Sequence, residues 1–482
     1  MNIYAKRHFD RFRNSGVLKL LVSFNRGIVL LILLICTASL CSCGNVINET
    51  VLSHSDDPVI INDDEYSGIV FTEMNRNFSV SGDIRIEKSV DQGYYIAGTV
   101  VEETADNVWF SLIDKNGNFK NEAFLRSSYD DRVRRVKVLD SENLIIYADR
   151  YYEDGDIDFI IAKVNRKTGI IWDYCFGDEI KNRVFDITVT DDGGTLITGL
   201  SYYQLLGFMH YITFTMKIDS NGKSLWRKDY RSLFSVFMPS EIRDAGNGEY
   251  LVSGLCLNRI TNKFKTFFTR INSSGDVLSS IFINAAGMHT MLIGTSVREN
   301  DGFTGVISLT GGFYADSIVV ACFNREMNIQ ILREYSLPDL NVRGKYIKGA
   351  DGSIVIAGML NNEAGNGLYF LRLSEQGVIQ NLTTKYYDAD QYDLSDVYFN
   401  TVETDEGLLY LCRYNNSTGS LEDGRVFLDR IHPDNKYKSI LSRGDSMLNA
   451  DSTDYETGGV ELETGDSSLM EKGGAELSFI IN

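Results

Sequence analysis

Val184-Phe-Asp-Ile-Thr-Val-Thr190, Gly194-Thr-Leu-Ile-Thr-Gly199, Tyr211-Ile-Thr-Phe-Thr-Met-Lys-Ile-Asp-Ser-Asn-Gly222 and Lys223-Ser-Leu-Trp-Arg-Lys-Asp-Tyr230 follow one another in the chain. Each run is rich in β-branched and aromatic residues, which fit a pleated, half-buried surface. The breaks between them, Asp191-Asp-Gly-Gly194 and Asp219-Ser-Asn-Gly222, carry turn chemistry. The unit reads as four strands joined by tight turns. Its second run is almost continuously apolar, as expected of a strand covered on both faces.

The same second run recurs along the chain. Gly93-Tyr-Tyr-Ile-Ala-Gly98, Asn143-Leu-Ile-Ile-Tyr-Ala148, Gly248-Glu-Tyr-Leu-Val-Ser-Gly254, Phe303-Thr-Gly-Val-Ile-Ser-Leu309, Gly352-Ser-Ile-Val-Ile-Ala-Gly358 and Gly407-Leu-Leu-Tyr-Leu-Cys412 complete a series with that of Gly194, at spacings of 50, 51, 54, 55, 49 and 55 residues. Four strands per fifty residues without helical periodicity between them predict an all-β fold, a β-propeller of four-stranded antiparallel blades. The expected count is seven blades, with eight as the alternative, over residues 68–443. An open ring would leave a raw sheet edge, so Gly68-Ile-Val-Phe-Thr-Glu-Met74 is expected to complete the last blade, with Tyr437-Lys-Ser-Ile-Leu441 as the competing donor.

Composition agrees. Hydrophobic residues make up 43% of the 482, enough for a sizeable core, and 42 Gly against 4 Pro suits turn-rich β structure. The net charge of −19 argues against a nucleic-acid partner, which demands a basic surface.

The two flanks differ from the repeats. Residues 1–26 carry six basic side chains and one acid, and an apolar stretch follows from Gly27 to Leu40, about the length of a signal-peptide core. It runs into Leu40-Cys41-Ser42-Cys43-Gly44, which resembles the bacterial lipobox. The resemblance implies cleavage after residue 42 and lipidation of Cys43, against the plainer reading of an uncleaved signal anchor. Without residues 1–42 the chain holds 41 Lys+Arg and 65 Asp+Glu, a charge of −24. Residues 43–67 read as an acidic spacer and residues 444–482 as an acidic, mostly disordered tail with a single strand-like stretch at 475–481.

Several features resemble known families. The endings Asn165-Arg-Lys-Thr-Gly-Ile-Ile-Trp172 and Asp219-Ser-Asn-Gly-Lys-Ser-Leu-Trp226 resemble the Gly-x-x-Trp blade ending of quinoprotein-like propellers. Quinoprotein dehydrogenases imply a pyrroloquinoline quinone, a calcium ion and often vicinal cysteines, and the repeats contain no vicinal pair, so the enzymatic side of the resemblance does not carry over. With the lipobox, the chain is similar to β-propeller lipoproteins of Bacteroidetes. Asp445-Ser446-Met447 and Asp451-Ser452-Thr453 resemble their O-glycan acceptor motif, which implies modification at Ser446 and Ser452. The resemblance implies an outer-membrane lipoprotein. The absence of an early acidic cluster after Cys43 favours the periplasmic side over the cell surface.

Few residues invite chemistry. Asp154-Gly-Asp156-Ile-Asp158 places alternating carboxylates in a loop, which suits a hard cation such as Ca²⁺. The other reading is a solvated hairpin turn. His210, His289 and His432 lie in different repeats. Tyr151-Tyr152, Tyr202-Tyr203 and Tyr386-Tyr387 fall at comparable blade ends and offer rings for sugars or peptides, or simply for packing between blades. Cys175, Cys256, Cys322 and Cys412 sit among apolar neighbours and are expected as buried thiols. No Gly-x-Ser-x-Gly, Walker loop or His-Glu-x-x-His occurs. The function expected is a membrane-anchored, non-catalytic binding or scaffold module for an envelope protein or glycan. The alternative is a carbohydrate-active enzyme, a glycoside hydrolase or polysaccharide lyase, working in an axial pocket.

Overall fold

The computed structural model describes residues 79–431, apart from short breaks in the connections, and four later stretches at 455–456, 463–466, 470–471 and 478–481. All of these belong to one compact unit, Ile60–Asn482. Among the described residues there is no helix.

Six sheets are simple meanders of four strands. The first holds β1 (Ser79–Lys88), β2 (Tyr94–Val101), β3 (Asp106–Ile113) and β4 (Phe119–Arg126). The second holds β5 (Asp130–Val138), β6 (Asn143–Tyr151), β7 (Ile157–Asn165) and β8 (Gly169–Gly177). The third holds β9 (Lys181–Val189), β10 (Thr195–Leu205), β11 (Phe208–Ile218) and β12 (Ser224–Arg231), and the fourth β13 (Ser235–Gly246), β14 (Glu249–Asn258), β15 (Lys263–Asn272) and β16 (Val277–Ala285). The fifth comprises β17 (His289–Val297), β18 (Phe303–Thr310), β19 (Ser317–Phe323) and β20 (Ile329–Ser336), and the sixth β21 (Leu340–Lys348), β22 (Ile354–Asn362), β23 (Gly365–Leu373) and β24 (Ile379–Tyr387). A last sheet has three strands among the described residues, β25 (Asp393–Thr404), β26 (Gly407–Asn415) and β27 (Arg425–Ile431). The two segments expected to complete it, 68–74 and 437–441, lie outside the described residues.

The first strands of successive sheets lie side by side, and β25 comes back against β1. The sheets are therefore blades set around an axis, a β-propeller, with the first strand of each blade innermost. The apolar second and third strands fill the space between blades. Ile145, Tyr147, Phe159 and Ile161 of the second sheet pack on Val184, Ile197, Phe214 and Met216 of the third, and the same happens between the fourth and fifth sheets around Phe268, Phe303 and Phe323. Burying such a large side chain stabilises by roughly 1.5–3 kcal/mol.

Each innermost strand contains a bulge, and the residue opposite it explains the glycine that closes so many of the recurring runs. Gly254 faces the bulge between Pro239 and Glu241. A Cβ there would lie 2.2 Å from the Met238 carbonyl oxygen, and one on Gly199 would lie 2.4 Å from that of Arg183. The bulged backbone leans into space that only glycine leaves open. The tryptophans of the Gly-x-x-Trp endings tie blade to blade. Trp172 donates its indole N–H to Ser220 O of the next blade at 3.1 Å, and Trp226 covers Gly275 of the blade after that. Tyr230 and Tyr335 make the equivalent tie, donating to the carbonyls of Gly275 and Gly377.

The tail departs from expectation. Beside the strand-like stretch expected at 475–481, the described residues hold four short strands: β28 (Tyr455–Glu456), β29 (Glu463–Asp466), β30 (Met470–Glu471) and β31 (Ser478–Ile481). They pair antiparallel with β16, β12, β8 and β4 in turn. The tail thus passes backwards along the outer edges of the fourth, third, second and first blades, adding a fifth strand to each. The physical cause is the row of unpaired N–H and C=O groups on an outermost strand, which recruits any extended segment within reach. Runs of two to four residues carry no periodicity by which a sequence could announce them.

Candidate functional site

Polar side chains on the innermost strands form a girdle around the axis. Arg85 of β1 donates to Arg134 O of β5 at 2.6 Å, and Glu87 of β1 pairs with Lys137 of β5 at 3.1 Å. Arg135 of β5 reaches Asp186 of β9 at 2.8 Å. Asp186 also accepts from Arg243 of β13 at 2.8 Å and from the Ile242 backbone at 3.1 Å. Glu241 of β13 accepts from the backbone and hydroxyl of Thr295 on β17 at 2.6 and 2.8 Å, and from Arg243 at 2.8 Å. Five successive blades are joined in this way.

A second tier is built around Asp149 of β6, which is fully buried. It accepts from Arg134 at 2.8 Å, from Arg183 of β9 at 3.3 Å and from the Tyr147 hydroxyl. Both guanidiniums also reach the Tyr151 hydroxyl, at 3.2 and 3.4 Å. Burial, together with the Asp149 carboxylate, pushes the Tyr147 phenol far up, so it stays a donor. Burial opposes ionisation of Asp186, yet Arg135 and Arg243 hold its carboxyl well below the usual range. Asp149, Asp186 and Glu241 each accept from three groups. Carboxylates shared among so many donors fasten neighbouring strands and blades to one another.

The rim offers something else. β10 and β11 form an eleven-residue hairpin whose register puts Leu205 opposite Phe208, Tyr203 opposite His210 and Tyr202 opposite Tyr211. At its tip Phe208 is 65% exposed and Leu205 42%. Met209 and Tyr211 are exposed too. Below them Tyr203 stacks on His210 with ring centroids 5.1 Å apart. Burial, aided by the charge of nearby Arg259, lowers the His210 pKa. Arg259 belongs to the neighbouring β14–β15 turn. There Asn258 Oδ1 accepts from the Ile260 and Thr261 backbones, and the turn presents Ile260 at 73% exposure. Two adjacent hairpin tips therefore share one apolar, cationic margin.

The residues singled out by sequence are scattered. Asp154 and Asp156 lie in the exposed β6–β7 turn, where Asp154 accepts from the Asp156 backbone and Asp156 from that of Ile157. Asp158 is buried in β7, with Cys175 Sγ 4.0 Å from its Oδ2. The three are not brought together, and among the described residues no three His, Cys, Asp or Glu side chains converge to hold a metal ion. Tyr151 is taken up by the axial tier, while Tyr152 packs edge-on against Tyr129, whose face carries the Arg150 guanidinium. His289 accepts from the Phe264 backbone at 3.2 Å. Cys175, Cys256 and Cys322 are buried free thiols. Cys43, His432, Ser446 and Ser452 lie outside the described residues. No helix among the described residues is long and apolar enough to cross a membrane.

The axial girdle was missed by the sequence reading, although a signal existed. Arg85, Arg135, Asp186 and Glu241 recur at 50, 51 and 55 residues, the spacing of the blades themselves.

No known protein family matches the chain, and no curated protein sequence matches it. Solved structures similar to it include the subtype N10 neuraminidase-like protein of a little yellow-shouldered bat isolate from Guatemala, at 8% identity and a TM-score of 0.39, over 75% of this chain and 98% of that one. The subtype N11 neuraminidase-like protein of a flat-faced bat isolate from Peru is similar at 12% identity and a TM-score of 0.37, over 78% and 97% of the two chains. BBS1N, solved in complex with ARL6DN, is similar at 8% identity and a TM-score of 0.39, over 74% and 93%.

Proposed function

We propose that the protein is a non-catalytic binding module of a bacterial envelope, a seven-bladed propeller tethered by lipid at Cys43 to the periplasmic side of the outer membrane. The observation that carries this reading is the division of labour between axis and rim. The axial carboxylates are each consumed by three donors, whereas two adjacent rim hairpins leave Leu205, Phe208, Met209 and Ile260 in solvent. Scattered exposed apolar residues are ordinary, but several gathered on neighbouring tips mark a contact surface. A sugar-cleaving centre would need a carboxyl free to move a proton, and Asp149 and Asp186 are fastened. The lipobox and the spacer of residues 43–67 support the tether.

In-cell crosslinking of the lipidated protein, with partners identified by mass spectrometry, tests the module. A reproducible envelope partner lost in Cys43→Ala is the expected result. Hydrolysis or lyase activity on envelope polysaccharides, abolished by Asp149→Asn, would overturn it.

A further inference from the structure

We infer that the β10–β11 and β14–β15 tips form a bilayer-docking wedge, inserting among the headgroups and upper acyl chains of an anionic membrane. This rests on the reading of the rim as a binding surface and names its partner. Three observations select a bilayer.

The first is layering. Leu205 and Phe208 stand at the extreme tip, paired in register around Gly207. The Tyr203–His210 stack and the Tyr202–Tyr211 pair, with centroids 6.2 Å apart, follow beneath. Purely apolar groups first and amphipathic rings next is the order in which a membrane interface accepts side chains.

The second is charge. Residues 202–211 contain no acid, and residues 256–267 contain Arg259, Lys263 and Lys265 without an acid. This stretch is a local reversal in a chain of net charge −19. The next tip along the ring, β6–β7, carries Glu153, Asp154 and Asp156 instead. Cations beside an apolar tip complement the phosphates of an anionic lipid surface.

The third is shape. Leu205, Phe208 and Ile260 of the two tips stand in solvent, and the Ile260 turn is stiffened by Asn258 and by Asn262 in the left-handed region at φ 52°. A glycan site needs hydrogen-bonding groups converging in a recess, which Leu205, Phe208, Met209 and Ile260 do not supply. A protein partner would need a matching groove, whereas a bilayer needs none.

The test uses the full chain carrying Phe208→Trp as a reporter, mixed with vesicles of phosphatidylcholine brominated in the acyl chains, with or without phosphatidylglycerol. The unsubstituted protein, with Trp109, Trp172 and Trp226, gives the background. Quenching of the added fluorescence is expected on phosphatidylglycerol vesicles, weaker on phosphatidylcholine alone, and reduced about threefold or more when Ile260→Asp or Arg259→Glu is added. A lipid tether alone holds the protein near the vesicle without burying residue 208, so it does not mimic this result. An unquenched reporter on anionic vesicles overturns the inference, as does quenching indifferent to Ile260→Asp and Arg259→Glu. A protein crosslinked from position 208 in cells would overturn it too. A quenched reporter with no crosslinked envelope protein would leave the wedge standing and remove the protein partner from the proposed function.

Discussion

Axis and rim of this propeller are built from similar residue types and do opposite things. At the axis, Arg135, Asp186 and Arg243 come from three different blades and satisfy one another. At the rim, Arg259 lies near His210 of the neighbouring blade in segments that contain no acid, and the apolar tips beside them meet solvent. The difference teaches how to tell structure from function in a repeat protein. Charge that is neutralised between blades holds the ring, and apolar surface that no blade covers is available to something else.

The largest effect should come from Asp186→Ala, which strands two guanidiniums and the Ile242 N–H. We expect about 3–5 kcal/mol lost from unfolding in urea. A loss below about 1 kcal/mol would show that the girdle is ornamental and erase the contrast. Gly254→Ala follows at about 1–3 kcal/mol, because the Met238 carbonyl must retreat from the new methyl group. Thermal unfolding should show it, and an unchanged midpoint would mean that the bulge is soft. Tyr230→Phe removes one tie between the third and fourth blades and should cost about 1 kcal/mol. Burial pushes the Tyr230 phenol up to about 12, so this tie persists through neutral and mildly alkaline pH.

A smaller effect is expected in acid. The Lys217 ammonium and Thr190 hydroxyl hold the Asp192 carboxyl at about 2, below the roughly 3.9 of an unfolded chain. Its contribution is therefore complete above about pH 4 and is lost as pH falls toward 2. Comparing Asp192→Asn with the parent across that window should close the gap between their stabilities. A gap that persists at pH 2 contradicts the assignment. Least of all, Phe208→Asp should leave the unfolding free energy within about 0.5 kcal/mol of the parent while abolishing burial of the tip in vesicles, read by a Leu205→Trp reporter. A large destabilisation there would place the rim tip among the ring's own fasteners.

Much of the blade architecture was legible because it is local. Gly194 to Gly199 announces a doubly covered strand, Asp219 to Gly222 a turn, and their recurrence an array. The glycines were legible as punctuation, but their reason, a bulge on the neighbouring innermost strand, is a contact between strands. The axial girdle was hidden for the same reason. Arg135 and Asp186 are 51 residues apart, and their pairing has meaning only once the second and third blades stand side by side. The rim was half legible. Tyr202-Tyr203 drew attention to the β10–β11 hairpin, while nothing in the sequence marked Leu205, Phe208 and Ile260 as exposed. The Asp154 to Asp158 series misled in the opposite sense, since alternation along a turn and into a strand sends the third carboxylate inward.

The strands that the tail lays along β16, β12, β8 and β4 reverse the order in which the chain is made. Residues 455–481 follow every one of the sheets in the chain, yet they edge the first four of them and reach the earliest blade last. A nascent chain therefore carries four open outer edges until residues 455–481 have emerged, and until then each edge is free to pair with a neighbouring chain.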